Sequence, residues 1–122
     1  MPSANNSELV KKLNLKKDMK VRVLAKPVEV DLSGLAITQS AKAEGVIAFV
    51  TKLADVKANA GPVVDAAKDD LIAWLAYPKA GQLGTDLNRD VLWQHMLKKG
   101  VQGVRQVAID DVWSAMRFRP KR

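Results

Sequence analysis

Cysteine is absent from the 122 residues. That excludes disulfides, thiolate catalysis and cysteine-ligated zinc together. Histidine occurs once, at His95, so a tight transition-metal site would lack its usual nitrogen ligands. No apolar run approaches the ~18 residues a membrane span requires. The first residues, MPSANNSELVKK, hold no apolar stretch of the kind a secretory signal needs. A cytoplasmic protein with no membrane partner is the expectation. Aromatics make up only 5% of the chain, and no internal repeat or low-complexity tract is present. Serine hydrolase chemistry lacks its frame as well, because Ser114 stands in a strand-like run without a G-x-S-x-G elbow.

What is present fits one domain, residues 1–122, with 48% hydrophobic residues to fill one core. Residues 1–7 are polar and expected to be frayed. The net charge is +7, and the excess is concentrated late. Residues 98–122 carry seven Lys or Arg against two Asp. A basic end attracts phosphate backbones, but it also keeps a small protein in solution.

Periodicity sets the element order. SELVKKLN (7–14) reads as a short helix with Ser7 as its cap. MKVRVLA (19–25) alternates as a strand does and ends before Pro27, which lacks a ladder donor. Within 27–45, VEVD and LAIT each read as a short strand, with LSG turning between them. GVIAFV (45–50) and LIAWLAYP (71–78) are nearly unbroken apolar runs, the pattern of strands covered on both faces in a parallel sheet. Residues 51–70 read as two helices broken at Gly61-Pro62. TDLNRDVLWQHMLKKG (85–100) is a helix that Thr85 or Asp86 can cap, with Lys98 and Lys99 at its end. VRQVAID (104–110) and VWSAMRFRP (112–120) follow, with only Asp110-Asp111 to turn on, which requires an antiparallel hairpin. Strands alternating with helices give an α/β class: a Rossmann-like, mainly parallel sheet with helices on both faces and a C-terminal antiparallel β-hairpin strand.

The runs LNLKKDMKVRVLA, GVIAFV, AYPK…TDLNRD and VRQVAIDDVWSAMRFRP resemble a family of short uncharacterised bacterial proteins. That family is described as having a class I methyltransferase-like fold, with a lysine-rich loop and an Asp-x-x-Trp-Ser motif near the C-terminus. The resemblance covers about residues 9–120 and implies a fold without an activity. It also makes S-adenosylmethionine (SAM) the cofactor to consider. A glycine-rich turn after the first strand lets backbone approach such a ligand. Here KPVEVDLSG follows VRVLA, and no glycine comes before Gly34. Glu29 or Asp31 is a weak ribose partner. The 20 or so residues before GVIAFV are too few for two strand–helix units. The N-terminal half is therefore shortened, and no cofactor is expected.

Ligands of parallel sheets bind at the C-terminal ends of the strands. That edge should gather Lys79, Thr85, Asp86, Asn88, Arg89, Asp90, Asp110 and Asp111, with Trp113 close by. Arg89 falls on the apolar arc of Leu92, Trp93, Met96 and Leu97, where a charge needs a partner. Either Asp110 or Asp111 pairs with it, or Arg89, Lys79 and the helix N-terminus clamp an anion. Asp86, Asp90, Asp110 and Asp111 could hold Mg²⁺ or Ca²⁺, but caps and ion pairs account for them more simply, and no metal is expected. Tyr77 and Pro78 end a strand. Trp74, Trp93 and Trp113 read as core, and His95 as a solvated side chain.

Three functions follow in order. The first is a non-catalytic or residual methyltransferase-like domain that binds a protein partner or a small anionic ligand at this edge, through Lys79, Thr85, Asp86, Arg89, Asp110, Asp111 and Trp113. The second is a SAM-dependent small-molecule methyltransferase. The third is a nucleic-acid binder acting through the basic C-terminal end. A homo-oligomer is compatible with all three.

Overall fold

The computed structural model describes residues 13, 20–26, 30, 36–38, 43–79 and 81–121. Strand β1 (Lys20–Leu24) is followed by β2 (Ala36–Thr38), β3 (Gly45–Phe49), α1 (Leu53–Asn59) and α2 (Gly61–Lys68). Then come β4 (Ile72–Pro78), α3 (Arg89–Leu97), β5 (Val101–Ala108) and β6 (Trp113–Pro120). The strands form one six-stranded sheet in the order β2-β1-β3-β4-β6-β5. β2, β1, β3 and β4 are parallel, β6 is antiparallel to β4, and β5 is antiparallel to β6. The fold is the expected α/β Rossmann-like one with a closing hairpin.

The two unbroken apolar runs are the centre of this sheet. All five residues of β3 are buried, as are six of the seven in β4. Between β1 and β3 the described residues include the short strand β2, formed by part of LAIT. Of the VEVD segment only Val30, buried at 2% exposure, falls among the described residues. The pair of helices breaks as expected. Ala60 ends α1 with its N–H on the Val56 carbonyl, and Pro62 opens α2 in the first turn, where its missing N–H costs nothing.

Strand alternation splits the core in two. One face carries Val46, Ala48, Ala73, Leu75, Tyr77, Met116 and Phe118. α1, α2 and α3 all pack there through Val56, Val63, Ala66, Ala67, Leu92 and Met96. The other face carries Val21, Ile47, Phe49, Trp74, Ala76, Trp113 and Ala115, with Leu13 and Val30 packed on them. Leu13 is tied down by the Trp74 indole, whose Nε1 donates to the Leu13 carbonyl at 2.9 Å. The helix expected over 7–14 lies outside the described residues apart from Leu13, so the three described helices sit on one face.

Two expected boundaries shift. α3 spans Arg89–Leu97, not 85–100, and its cap is Asn88, whose side chain accepts the Val91 N–H at 2.9 Å. Asn is as good a cap as Thr or Asp. Thr85 and Asp86 are engaged elsewhere. The hairpin is also wider than two residues. β5 starts at Val101, and residues 109–112 form the turn, closed by the Ile109 N–H on the Trp113 carbonyl at 2.9 Å. β5 forms the outer edge and is irregular between Gly103 and Arg105, which sets Arg105 directly opposite Arg117.

Candidate functional site

Four parallel strands and three helices fix one edge, where strand C-termini meet helix N-termini. The strand order reverses between β1 and β3, and the crevice at that point is where this architecture receives ligands. β1 leaves it through Ala25, which has a left-handed backbone at φ 58°. Glycine adopts that region freely, whereas a residue with a Cβ is strained there. Lys26 follows, and its ammonium donates to the Val30 carbonyl at 2.7 Å. A methyl group and a cation thus stand where a glycine cradle would let backbone approach a cofactor. On the β3 side, the Thr51 and Lys52 N–H groups both donate to one carboxylate oxygen of Asp55 at 3.0 Å. Leu53 N–H donates to Asp86 at 2.9 Å. The chain's own carboxylates therefore occupy the start of α1.

The sequence-derived candidates gather further along the edge, and only in part. Lys79 and Arg89 line one pocket of about 360 Å³, together with Tyr77, Asn88, Asp90, Gln106 and Ser114. β4 supplies Tyr77 and, just past its end, Lys79. The first turn of α3 supplies Arg89 and Asp90, and the hairpin supplies Gln106 and Ser114. Tyr77 and Ser114 are cross-strand partners, and Gln106 Nε2 donates to the Tyr77 hydroxyl at 2.8 Å. With that lone pair used, the Tyr77 O–H is left to donate into the pocket. Burial pushes the Tyr77 pKa above its usual 10.0, while the positive field of Arg89 pulls it down. The phenol is therefore protonated at neutral pH and serves as a donor. Ser114 has no basic partner among the described residues. The pocket holds ammonium, guanidinium, amide and hydroxyl donors against a single carboxylate, Asp90.

The other candidates go elsewhere. Thr85 donates its hydroxyl to the Thr51 carbonyl and accepts the Leu87 N–H, so with Asp86 it staples this loop to α1. Asp110 Oδ1 accepts the N–H groups of Val112 and Trp113 at 2.8 and 2.7 Å. Trp113 is buried on the opposite face, edge-on to Phe49 with ring centroids 5.3 Å apart. Asp111 is exposed in the turn. The ion pair expected from Arg89 to Asp110 or Asp111 is not formed. Among the described residues Arg89 meets only the Asp90 carboxylate, at 3.8 Å, with side chains 65% and 83% exposed. Arg89 shares the angle of Leu92 and Met96, but its side chain is 65% exposed although Leu87 and Leu92 on either side of it are buried in the core.

Trp93 also departs from expectation. It is 39% exposed, whereas Trp74 and Trp113 are buried as expected. His95 is half-buried, with Nε2 enclosed and without a hydrogen-bond partner among the described residues. Tyr77, Gln106 and Ser114 are the site residues that sequence reasoning missed. The one available signal was the only tyrosine, at the end of a buried apolar run. Among the described residues, no group of three His, Asp or Glu side chains is placed to hold a metal ion. No helix there is long and apolar enough to cross a membrane.

A SAM-dependent methyltransferase from Aquifex aeolicus has a similar structure, with a TM-score of 0.52 and 11% sequence identity over 93% of this chain and 88% of that one. A ribosomal protein L11 methylase from Lactobacillus delbrueckii subsp. bulgaricus aligns at a TM-score of 0.44 and 11% identity, over 98% of this chain and 78% of that one. No family model and no curated protein matches the sequence. At such identities the likeness concerns fold. The chain has a methyltransferase-like, Rossmann-type α/β fold.

Proposed function

We propose that this chain is a methyltransferase-like domain that binds a small anionic ligand between the end of β4 and the start of α3, without transferring a methyl group itself. The observation that carries this reading is the convergence of Lys79 and Arg89 on one donor-lined pocket. Among the described residues Arg89 has only the weak, solvent-screened contact with Asp90. An anion bridging Lys79 and Arg89 would gain charge-assisted hydrogen bonds. It would also meet the first turn of α3, whose dipole favours negative charge. Tyr77, held neutral, adds a donor without adding a like charge.

Calorimetric titration with inorganic phosphate, sulfate and simple carboxylates tests this. Saturable binding is expected, weakened about tenfold or more by Arg89→Ala or Lys79→Ala, as loss of a charged hydrogen bond implies. Both variants should keep wild-type stability within about 0.5 kcal/mol, since neither side chain is buried in a pair. The absence of saturable binding by any of these anions would overturn the reading.

The fold likeness favours a second reading, methyl transfer with SAM, and the exit of β1 weighs against it. Ala25 and Lys26 offer a positively charged sulfonium a methyl group and a cation. Stabilisation by adenosyl cofactors that persists in Lys79→Ala would favour this second reading over the first.

A further inference from the structure

We infer that the anion taken at Lys79 and Arg89 is the phosphate of a nucleotide, whose base stacks on Trp93. This rests on the anion reading and adds the rest of the ligand.

A second recess, of about 200 Å³, opens beside the first and shares Arg89 and Gln106 with it. Its other lining residues are Trp93, Gly103, Val104, Arg105 and Met116. Trp93 and Val104 are 39% and 46% exposed, two of the few large apolar side chains left to solvent. Apolar surface of this kind beside a polar pocket marks a contact for something else. Here it lies between two guanidiniums, Arg89 and Arg105.

Spacing narrows the ligand class. Trp93 follows Arg89 by four residues on α3, so the two share a side of the helix about 6 Å apart along its axis. A ribose bridges that distance between a phosphate and a base. Stacking on an indole needs only a π-face and is worth about 1–3 kcal/mol per base. Arg105, across the recess, is placed for a second phosphate oxygen or for the exposed face of the base. Together the two recesses lie within the usual size of a small-molecule site. An inorganic anion or a plain carboxylic acid would leave Trp93 and Val104 wet.

The experiment compares inorganic phosphate, ribose 5-phosphate, a nucleoside monophosphate and a short single-stranded oligonucleotide, by calorimetry and tryptophan fluorescence. The monophosphate should bind about tenfold or more tighter than ribose 5-phosphate and quench Trp93, the exposed indole. Trp93→Ala should erase that preference while leaving ribose 5-phosphate affinity unchanged, with a lowered melting temperature because most of the indole is covered, and Trp93→Phe should restore part of the preference. Binding of the oligonucleotide in preference to the monophosphate would identify a strand as the source of the nucleotide, and the reverse would identify the free small molecule. Equal affinity for ribose 5-phosphate and the monophosphate, or a preference that survives Trp93→Ala, would overturn the inference while leaving anion binding intact. Failure of every anion to bind would overturn both.

Discussion

Asp86 caps a helix 33 residues before it in the chain, its Oδ1 accepting the backbone N–H of Leu53 at 2.9 Å. The contact joins the loop that carries the candidate site to the start of α1. Thr85 adds a second tie to the Thr51 carbonyl. The loop between β4 and α3 turns through left-handed backbone at Gly81, Leu83 and Gly84. These two side chains anchor it at one end.

Asp86→Ala is expected to lower stability by about 1 kcal/mol, the usual loss when a helix cap is removed. Asp86→Asn keeps an oxygen acceptor and should recover more than half of that loss. Urea denaturation of the three proteins measures both effects. An alanine variant as stable as wild type would show that the cap contributes nothing.

Gly103 is required by its neighbour and not by its backbone angle. A Cβ built there would lie 2.8 Å from Met116 Sδ and 3.3 Å from its Cγ. Met116 is 3% exposed, so it has little room to withdraw. Gly103→Ala should cost about 1–2 kcal/mol by overpacking. Combined with Met116→Ala, the added methyl enters space the methionine has left. The double variant should then lose less stability than the two single losses together. Strict additivity in thermal unfolding would refute the clash.

His95 gives the fold a dependence on mildly acid pH. Burial, then the charges of Lys99, Lys57 and Lys98, hold its pKa below 6.5. Above pH 6.5 the imidazole is neutral in both states and contributes no slope. Below it, the unfolded chain takes up the proton more readily than the folded one, so stability declines as pH falls toward the lower folded value. Carboxylates titrate mainly below this window. His95→Gln should flatten the melting temperature between pH 6.5 and about pH 5. A wild-type profile already flat in that range would exclude the effect.

β3 and β4 could be read from the sequence because burial on both faces writes itself as unbroken apolar runs. The break between α1 and α2 was equally visible, since Pro62 has one comfortable place in a helix. Arg89 was not, and the reason is geometric. Helical periodicity gives an angle about the axis, not which positions along it the neighbouring elements cover. Asp110 and Asp86 were misplaced for a related reason. A carboxylate in a loop is as readily spent on nearby N–H groups as on a cation, and composition does not separate the two. Tyr77, Ser114 and Gln106 meet only through the β4–β6–β5 register, which no local pattern in the chain encodes.

Arg105 and Arg117, set opposite each other in strands β5 and β6, bear on what the β5 edge of the sheet can recruit. Like charges in cross-strand register are destabilising, and Arg117 already holds its Nε buried without a hydrogen-bond partner among the described residues. A second copy adding along β5 would bring further guanidiniums toward that ladder, and the irregularity beside Gly103 would spoil its hydrogen-bond spacing. Strand addition, the common hazard of a bare β-edge, is opposed along β5, one of the sheet's two edges, by charge and by shape.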